Sequence, residues 1–138
     1  MTDDTTITQQ FIDALAALER ERDLEPITGL FAPDNDIGNI VSPREFSGPD
    51  GARTFWEAYR ETFGDVSSTF RTVIVSDGRA ALEWTTTGTS THGAPVTYAG
   101  VSILEFADGQ ISRFWAYFDP SDLGRQVEQA ARDCTDTA

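Results

Sequence analysis

Few side chains in this chain could move a proton near neutral pH. His92 is the only histidine, and imidazole is the side chain whose ordinary pKa falls in that range. It stands in the turn Thr91-His92-Gly93, where it becomes a proton carrier only if that turn folds over the mouth of a pocket. Asp119 ends an apolar run just before Pro120, so it is either a base at a pocket mouth or a turn residue. Tyr98 adds a phenol on a strand. His92, Asp119 and Tyr98 are the candidates for catalysis, and no Ser-His-Asp set can be assembled around the histidine.

Other constellations lead nowhere. Asp34, Asp36 and Glu45 are spaced somewhat like a calcium loop, but the glycine is misplaced and no helix fits after it, so no metal is expected. Asp77 and Asp108 read as turn residues. Cys134 is the single cysteine, which excludes an internal disulfide and a multi-cysteine zinc site. No glycine-rich phosphate loop is present, and no cofactor is expected.

The elements that must position these groups are legible from periodicity. Thr6 and Gln9 have capping-box spacing, and Ile7, Phe11, Leu15 and Leu18 recur with helical period. The run ERERD at 19–23 reads as a solvated end of that helix. A shorter helix follows Asp23, with Pro26 in its first turn; it buries Ile27, Leu30 and Phe31 and stops before Pro33. Residues 33–50 read as a loop-rich crossing with a short strand near Ile40. A third helix starts near Asp50, with Ala52, Phe55, Trp56, Tyr59 and Phe63 as its apolar face and Gly64 as its stop.

From Ser67 the period changes to two. Strands are expected at about 67–76, 79–90, 96–106 and 110–118, joined by the turns SDGR, THGAP and ADGQ. Two of these contain Asp-Gly, a hairpin signal, so the sheet reads as an antiparallel meander. A short helix is expected from Ser121. The whole is one α+β domain over residues 1–138, with its core at about 7–125 and a polar C-terminal tail.

Alternate strand residues face opposite sides. One face carries Leu82, Trp84 and Thr86, then Tyr98, Gly100, Ser102 and Leu104, then Ser112, Phe114, Ala116 and Phe118. Bulky apolar groups mixed with hydroxyls suit a small-molecule site. The helices contribute Phe11, Trp56 and Tyr59 to this side, and Asn39 joins them as an amide that needs partners if buried. The other face also holds apolar groups, namely Val73, Val75, Val101, Ile103, Trp115 and Tyr117, beside Arg71, Glu83, Glu105 and Arg113. A second copy of the chain is the simplest cover, so a homodimer is expected through this outer face.

Composition narrows the class. The chain has 138 residues, 39% hydrophobic and 11% aromatic, enough for one packed core. Ten arginines, no lysine and 23 acidic residues give a net charge of -13. Such a surface repels phosphates and anionic membranes, so neither nucleic acid nor membrane is an expected partner. It also suits a high-salt interior, where the self-repulsion is screened. The acidic, polar start is not a secretory signal, and a cytoplasmic location is expected.

The order of three helices and then a meander is carried by LFAPD at 30–34, SGPDGARTFW at 47–56 and DGQISRFWAYFD at 108–119. Over about residues 7–125 the chain resembles the SnoaL-like branch of the nuclear transport factor 2-like superfamily. The resemblance implies a cone-shaped α+β fold, dimerisation and a deep apolar pocket. It also implies that the catalytic groups of known relatives are missing. The ketosteroid isomerases' Asp base falls at about Asn39, their tyrosine at Phe11 and their second acid near Ser102. The epoxide hydrolases' Arg and Asp fall near Trp84 and Thr86. Their last-strand Asp falls near Ala116, and the polyketide cyclases' last-strand Asp is missing too. A register slip of one residue would instead bring Glu83 or Tyr117 inward.

The expected ligand site is therefore Phe11, Asn39, Trp56, Tyr59, Trp84, Thr86, Tyr98, Ser102, Phe114, Ala116 and Phe118, taking a small hydrophobic molecule. The sequence leaves open whether the protein is an enzyme. One alternative is an enzyme of the cyclase, isomerase or dehydratase type. The other is a dimeric interaction module with a vestigial pocket.

Overall fold

Asp3 opens the first helix: its carboxylate accepts a 2.7 Å hydrogen bond from the Thr6 amide. That bond also holds the Asp3 carboxyl below its usual pKa. The cap is thus three residues earlier than the Thr6 spacing suggests, because an aspartate in extended backbone satisfies one of the orphan amides of the first turn. The computed structural model describes residues 3–40 and 46–119 of the chain. The expected helix from Ser121, Glu45 and Cys134 lie outside these residues.

Helix α1 runs Asp4–Glu21, α2 is the single turn Glu25–Thr28, and α3 runs Gly51–Glu61. The strands are β1 Phe31–Asn39, β2 Phe46–Ser47, β3 Phe63–Ser76, β4 Arg79–Ser90, β5 Pro95–Ala107 and β6 Gln110–Phe118. They form one open sheet in the order β2-β1-β6-β5-β4-β3. The meander β3 to β6 is antiparallel, as its turns require. Asp77-Gly78 and Asp108-Gly109 all have positive φ, the geometry of tight hairpin turns.

Three sequence readings are corrected here. Residues 31–39, read mostly as a crossing, form a nine-residue strand that pairs parallel with β6. Pro33 and two aspartates hid it, because the strand bulges between Phe31 and Asp36 and has no simple alternation. Gly64 does not stop α3: the helix ends at Glu61, and Gly64 lies inside β3. Its lack of a side chain serves packing instead, since a Cβ there would come within 2.7 Å of Thr89 Oγ1.

The faces of β3 also differ from the alternation expected. Val73 and Val75 pair with Leu82 and Ala80 and so face the helices, not outward. A bulge between Phe70 and Thr72 shifts the parity of the strand by one, a change that alternation alone cannot reveal. The outer face instead carries Ile74, Ala81, Val101, Ile103, Trp115 and Tyr117. Among these Ile74 is 58% and Tyr117 46% exposed. Trp115 lies over Gly38, where a Cβ would stand 2.7 Å from its ring.

The core fills the space between the helices and the inner sheet face. Phe11, Leu18, Ile27, Ile37, Leu82, Leu104 and Ile111 are at most 1% exposed. No helix among the described residues is long and apolar enough to cross a membrane.

Candidate ligand site on the inner sheet face

The inner face is an aromatic continuum. Trp56 of α3 touches Phe11 of α1, Phe31 of β1 and Phe114 of β6, with ring centroids 5.9, 6.3 and 5.0 Å away. Tyr59 and Phe63 carry the contact to Tyr98, which meets Trp84 and Phe118 at 5.3 and 5.4 Å. The tilted and edge-on geometries are those that aromatic quadrupoles favour. Most of the residues expected at the site therefore face one interior. Phe118 and Asn39 are half-buried at its edge, and Asn39 pairs with the buried Ala116.

The Ser102 and Thr86 hydroxyls of this face are engaged. Trp84 Nε1 donates to Ser102 Oγ at 2.8 Å. Thr86 Oγ1 and Ser68 Oγ share a 2.7 Å hydrogen bond. Trp56 is different: its Nε1–H is buried, 2% of the residue is exposed, and the donor has no hydrogen-bond partner among the described residues. Leaving such a donor unpaired costs on the order of 1–3 kcal/mol.

Glu19 is the residue the sequence reading missed. It belongs to the charged ERERD run that reads as solvated, yet it is 4% exposed. The signal was present: Glu19 follows Leu15 by four residues and Phe11 by eight, which keeps it on the apolar stripe. Its Oε2 accepts from Tyr59 Oη at 2.8 Å and from Ser68 Oγ at 2.6 Å, and its Oε1 accepts from the Ser68 amide at 3.0 Å. Glu19 makes no salt bridge among the described residues. Burial, then the carboxylate of Glu19, raises Tyr59 well above the ordinary phenol pKa, and the same two causes raise Tyr98. Both phenols therefore stay neutral at any physiological pH. Chemically, the cluster can hold a negative charge and keep several hydroxyl dipoles aimed at it.

The catalytic candidates do not converge on this interior. His92 and Asp119 are exposed, His92 in the β4–β5 turn and Asp119 beyond the end of β6. Tyr98 is buried within the aromatic set. Glu83 and Tyr117 face outward, so no register slip brings them in. Asp34 and Asp36 are exposed on β1, and no group of residues suited to a metal ion occurs among the described residues.

Beside the interior, α1 and β3 leave a cleft of about 510 Å3. Ile12, Leu15, Ala16, Phe70 and Val73 form its apolar walls, and Glu19, Arg20 and Ser68 form one end.

The SnoaL-like domain family matches residues 8–114 of the chain. Among solved structures, an NTF2-like protein of unknown function from Burkholderia pseudomallei K96243 is 20% identical with a TM-score of 0.80, covering 92% of this chain and 98% of that one. TerC co-crystallised with polyporic acid is 23% identical with a TM-score of 0.75, covering 88% and 98%. An epoxide hydrolase of the LEH-like type from M. tuberculosis is 16% identical with a TM-score of 0.69, covering 96% and 94%. Among curated proteins there is no match.

Proposed function

The chain belongs to the SnoaL-like domain family, and on that premise we propose that it binds a small, largely apolar ring-bearing molecule in the aromatic interior between α1, α3 and the inner sheet face. The observation that carries this reading is the unpartnered Nε1–H of Trp56, buried among Phe11, Phe31, Phe55 and Phe114. An aromatic surround selects a flat apolar body, and a lone buried donor selects one acceptor oxygen on it, such as a carbonyl. That the similar protein TerC was co-crystallised with polyporic acid supports a ligand of this kind.

The test is titration with a bicyclic aromatic ketone, alongside native mass spectrometry of protein purified from its own host. Trp56→Phe keeps the ring and removes the donor. It should weaken binding by about 0.5–1.5 kcal/mol, the net value of one hydrogen bond. Equal affinity in the variant would overturn the role of the Trp56 donor, and no binding by the native chain would leave an interior that serves packing only, as in a dimeric module with a vestigial pocket.

A second reading, an enzyme of the cyclase, isomerase or dehydratase type, is favoured by the buried Glu19 carboxylate. In that reading Glu19 accepts a proton while Tyr59 and Tyr98 act as neutral hydrogen-bond donors. Positions where relatives keep acids hold Ala116, Ser102 and Thr86 here, so the proton acceptor must be a residue of this chain's own. Loss of turnover in Glu19→Gln, with binding retained, would decide for it.

The proposed functional unit is a homodimer through Ile74, Val101, Ile103, Trp115 and Tyr117, working in a salt-rich cytoplasm that screens the net charge of -13.

A further inference from the structure

We propose that the cleft between α1 and β3 is a second binding site, separate from the aromatic interior, for an amphiphile with a linear alkyl tail and a hydrogen-bond-donor head, an amine or an alcohol.

The head end is set by Glu19. A carboxylate offers about four lone-pair directions. Three donor contacts occupy Glu19: the Tyr59 hydroxyl, the Ser68 hydroxyl and the Ser68 amide. Two of them fall on Oε2 and only the amide on Oε1, so Oε1 carries a single protein donor at the end of the cleft that Glu19 lines. All its hydrogen-bond partners are neutral donors, and the buried Arg60 guanidinium acts on it electrostatically without forming a salt bridge among the described residues. An incoming N–H or O–H adds a donor, and an ammonium also brings a cation into direct contact with the carboxylate. A carboxylate head does neither and is repelled. Arg20 at the same end is exposed, so its guanidinium remains hydrated and makes no salt bridge with Glu19.

The tail end is set by the bulge in β3. It turns Val73 toward the helix side, yet Val73 stays 44% exposed because nothing among the described residues covers it. Ile12, Ala16 and Phe70 continue this apolar strip as far as Ser68, and all three are only half-buried. From Gln9 to Glu19 the cleft follows α1 for about 15 Å at the rise of an α-helix. That length takes an extended alkyl chain of up to about twelve carbons, so an octyl tail fits within it.

The experiment is an amide chemical-shift titration of the full chain with n-octylamine, octan-1-ol and octanoate, in about 0.5 M KCl to screen non-specific attraction of the amine. The amine and the alcohol should shift the Ile12, Ala16, Ser68 and Val73 amides, and octanoate at the same concentration should not. Ala16→Phe, which fills the cleft, should abolish both sets of shifts. Glu19→Gln should weaken the amine about tenfold and the alcohol much less. Octanoate binding as tightly as octylamine, or shifts that persist in Ala16→Phe, would overturn the proposal. If Glu19→Gln does not fold, the head-group comparison on the native chain decides by itself. Shifts confined to the Trp56 indole would assign the amphiphile to the interior and also overturn it, while leaving the interior site standing.

Discussion

The Tyr59 hydroxyl donates to Glu19 across 2.8 Å and so ties α3 to α1 in the interior of the domain. Ser68 and Thr86 extend the tie to β3 and β4 through bonds of 2.6 and 2.7 Å. A carboxylate at this depth is tolerable only while its donors stay in place. Removing a single donor should therefore be costly even though each bond is ordinary in length.

Tyr59→Phe keeps the ring contacts with Trp56 and Phe63 and removes one charge-assisted bond. The expected loss is about 1.5–3 kcal/mol, read as a lower midpoint in urea denaturation. In a Glu19→Ala background the same substitution should cost much less, because the partner it serves is gone. Equal losses in both backgrounds would show that the bond carries no coupling.

Alkaline pH should destabilise the fold through the same cluster. Tyr59 and Tyr98 both have raised pKa values in the folded chain, from burial first and then from Glu19. Below the ordinary phenol pKa of about 10 both states keep the proton, and the raised values have no effect. Above it the unfolded chain releases protons that the folded chain retains, so stability falls as pH rises further. The slope should approach about 1.4 kcal/mol per pH unit for each phenol. Tyr59→Phe should remove part of that slope, which thermal melts between neutral and strongly alkaline pH would measure.

How much of this was written in the sequence depends on the element. The two Asp-Gly turns set strand ends at Ser76, Arg79 and Gln110 directly, since their positive φ values suit few other residues. The inner faces of β4, β5 and of β6 from Phe114 onward followed from simple alternation, but a register shift before Arg113 turns Ile111 into the core where alternation had placed Ser112. β1 escaped because its bulge and Pro33 break the alternation, and Val73 was placed on the wrong face because one bulged residue is invisible to a period of two. Glu19 escaped for a different reason. Its charge argued for water while its spacing argued for the core, and the hydroxyls that satisfy it lie 40 and 49 residues further along the chain.

The outer face makes a prediction about assembly. Ile74 and Tyr117 are exposed beside the half-buried Val101, Ile103 and Trp115. Ile74→Glu combined with Val101→Glu should yield a folded monomer in light scattering, because like charges would then meet across the symmetric interface. A monomeric mass for the native chain at working concentration would contradict the dimer.

Salt should stabilise the chain. With a net charge of -13 and no lysine, screening by KCl up to molar levels should relieve self-repulsion, since the Debye length falls to about 3 Å at 1 M. The melting temperature should climb across that range. A flat profile would contradict the high-salt reading.

The central claim, that the aromatic interior takes a ring-bearing ligand through Trp56, is tested most directly by the indole N–H resonances of the three tryptophans. Trp84 already donates to Ser102, which makes it an internal control. On titration with a bicyclic aromatic ketone, the Trp56 indole resonance should move downfield as it gains an acceptor, while that of Trp84 stays close to its starting position. A Trp56 resonance that remains unmoved at saturating ketone, or moves no more than that of Trp84, would contradict the account.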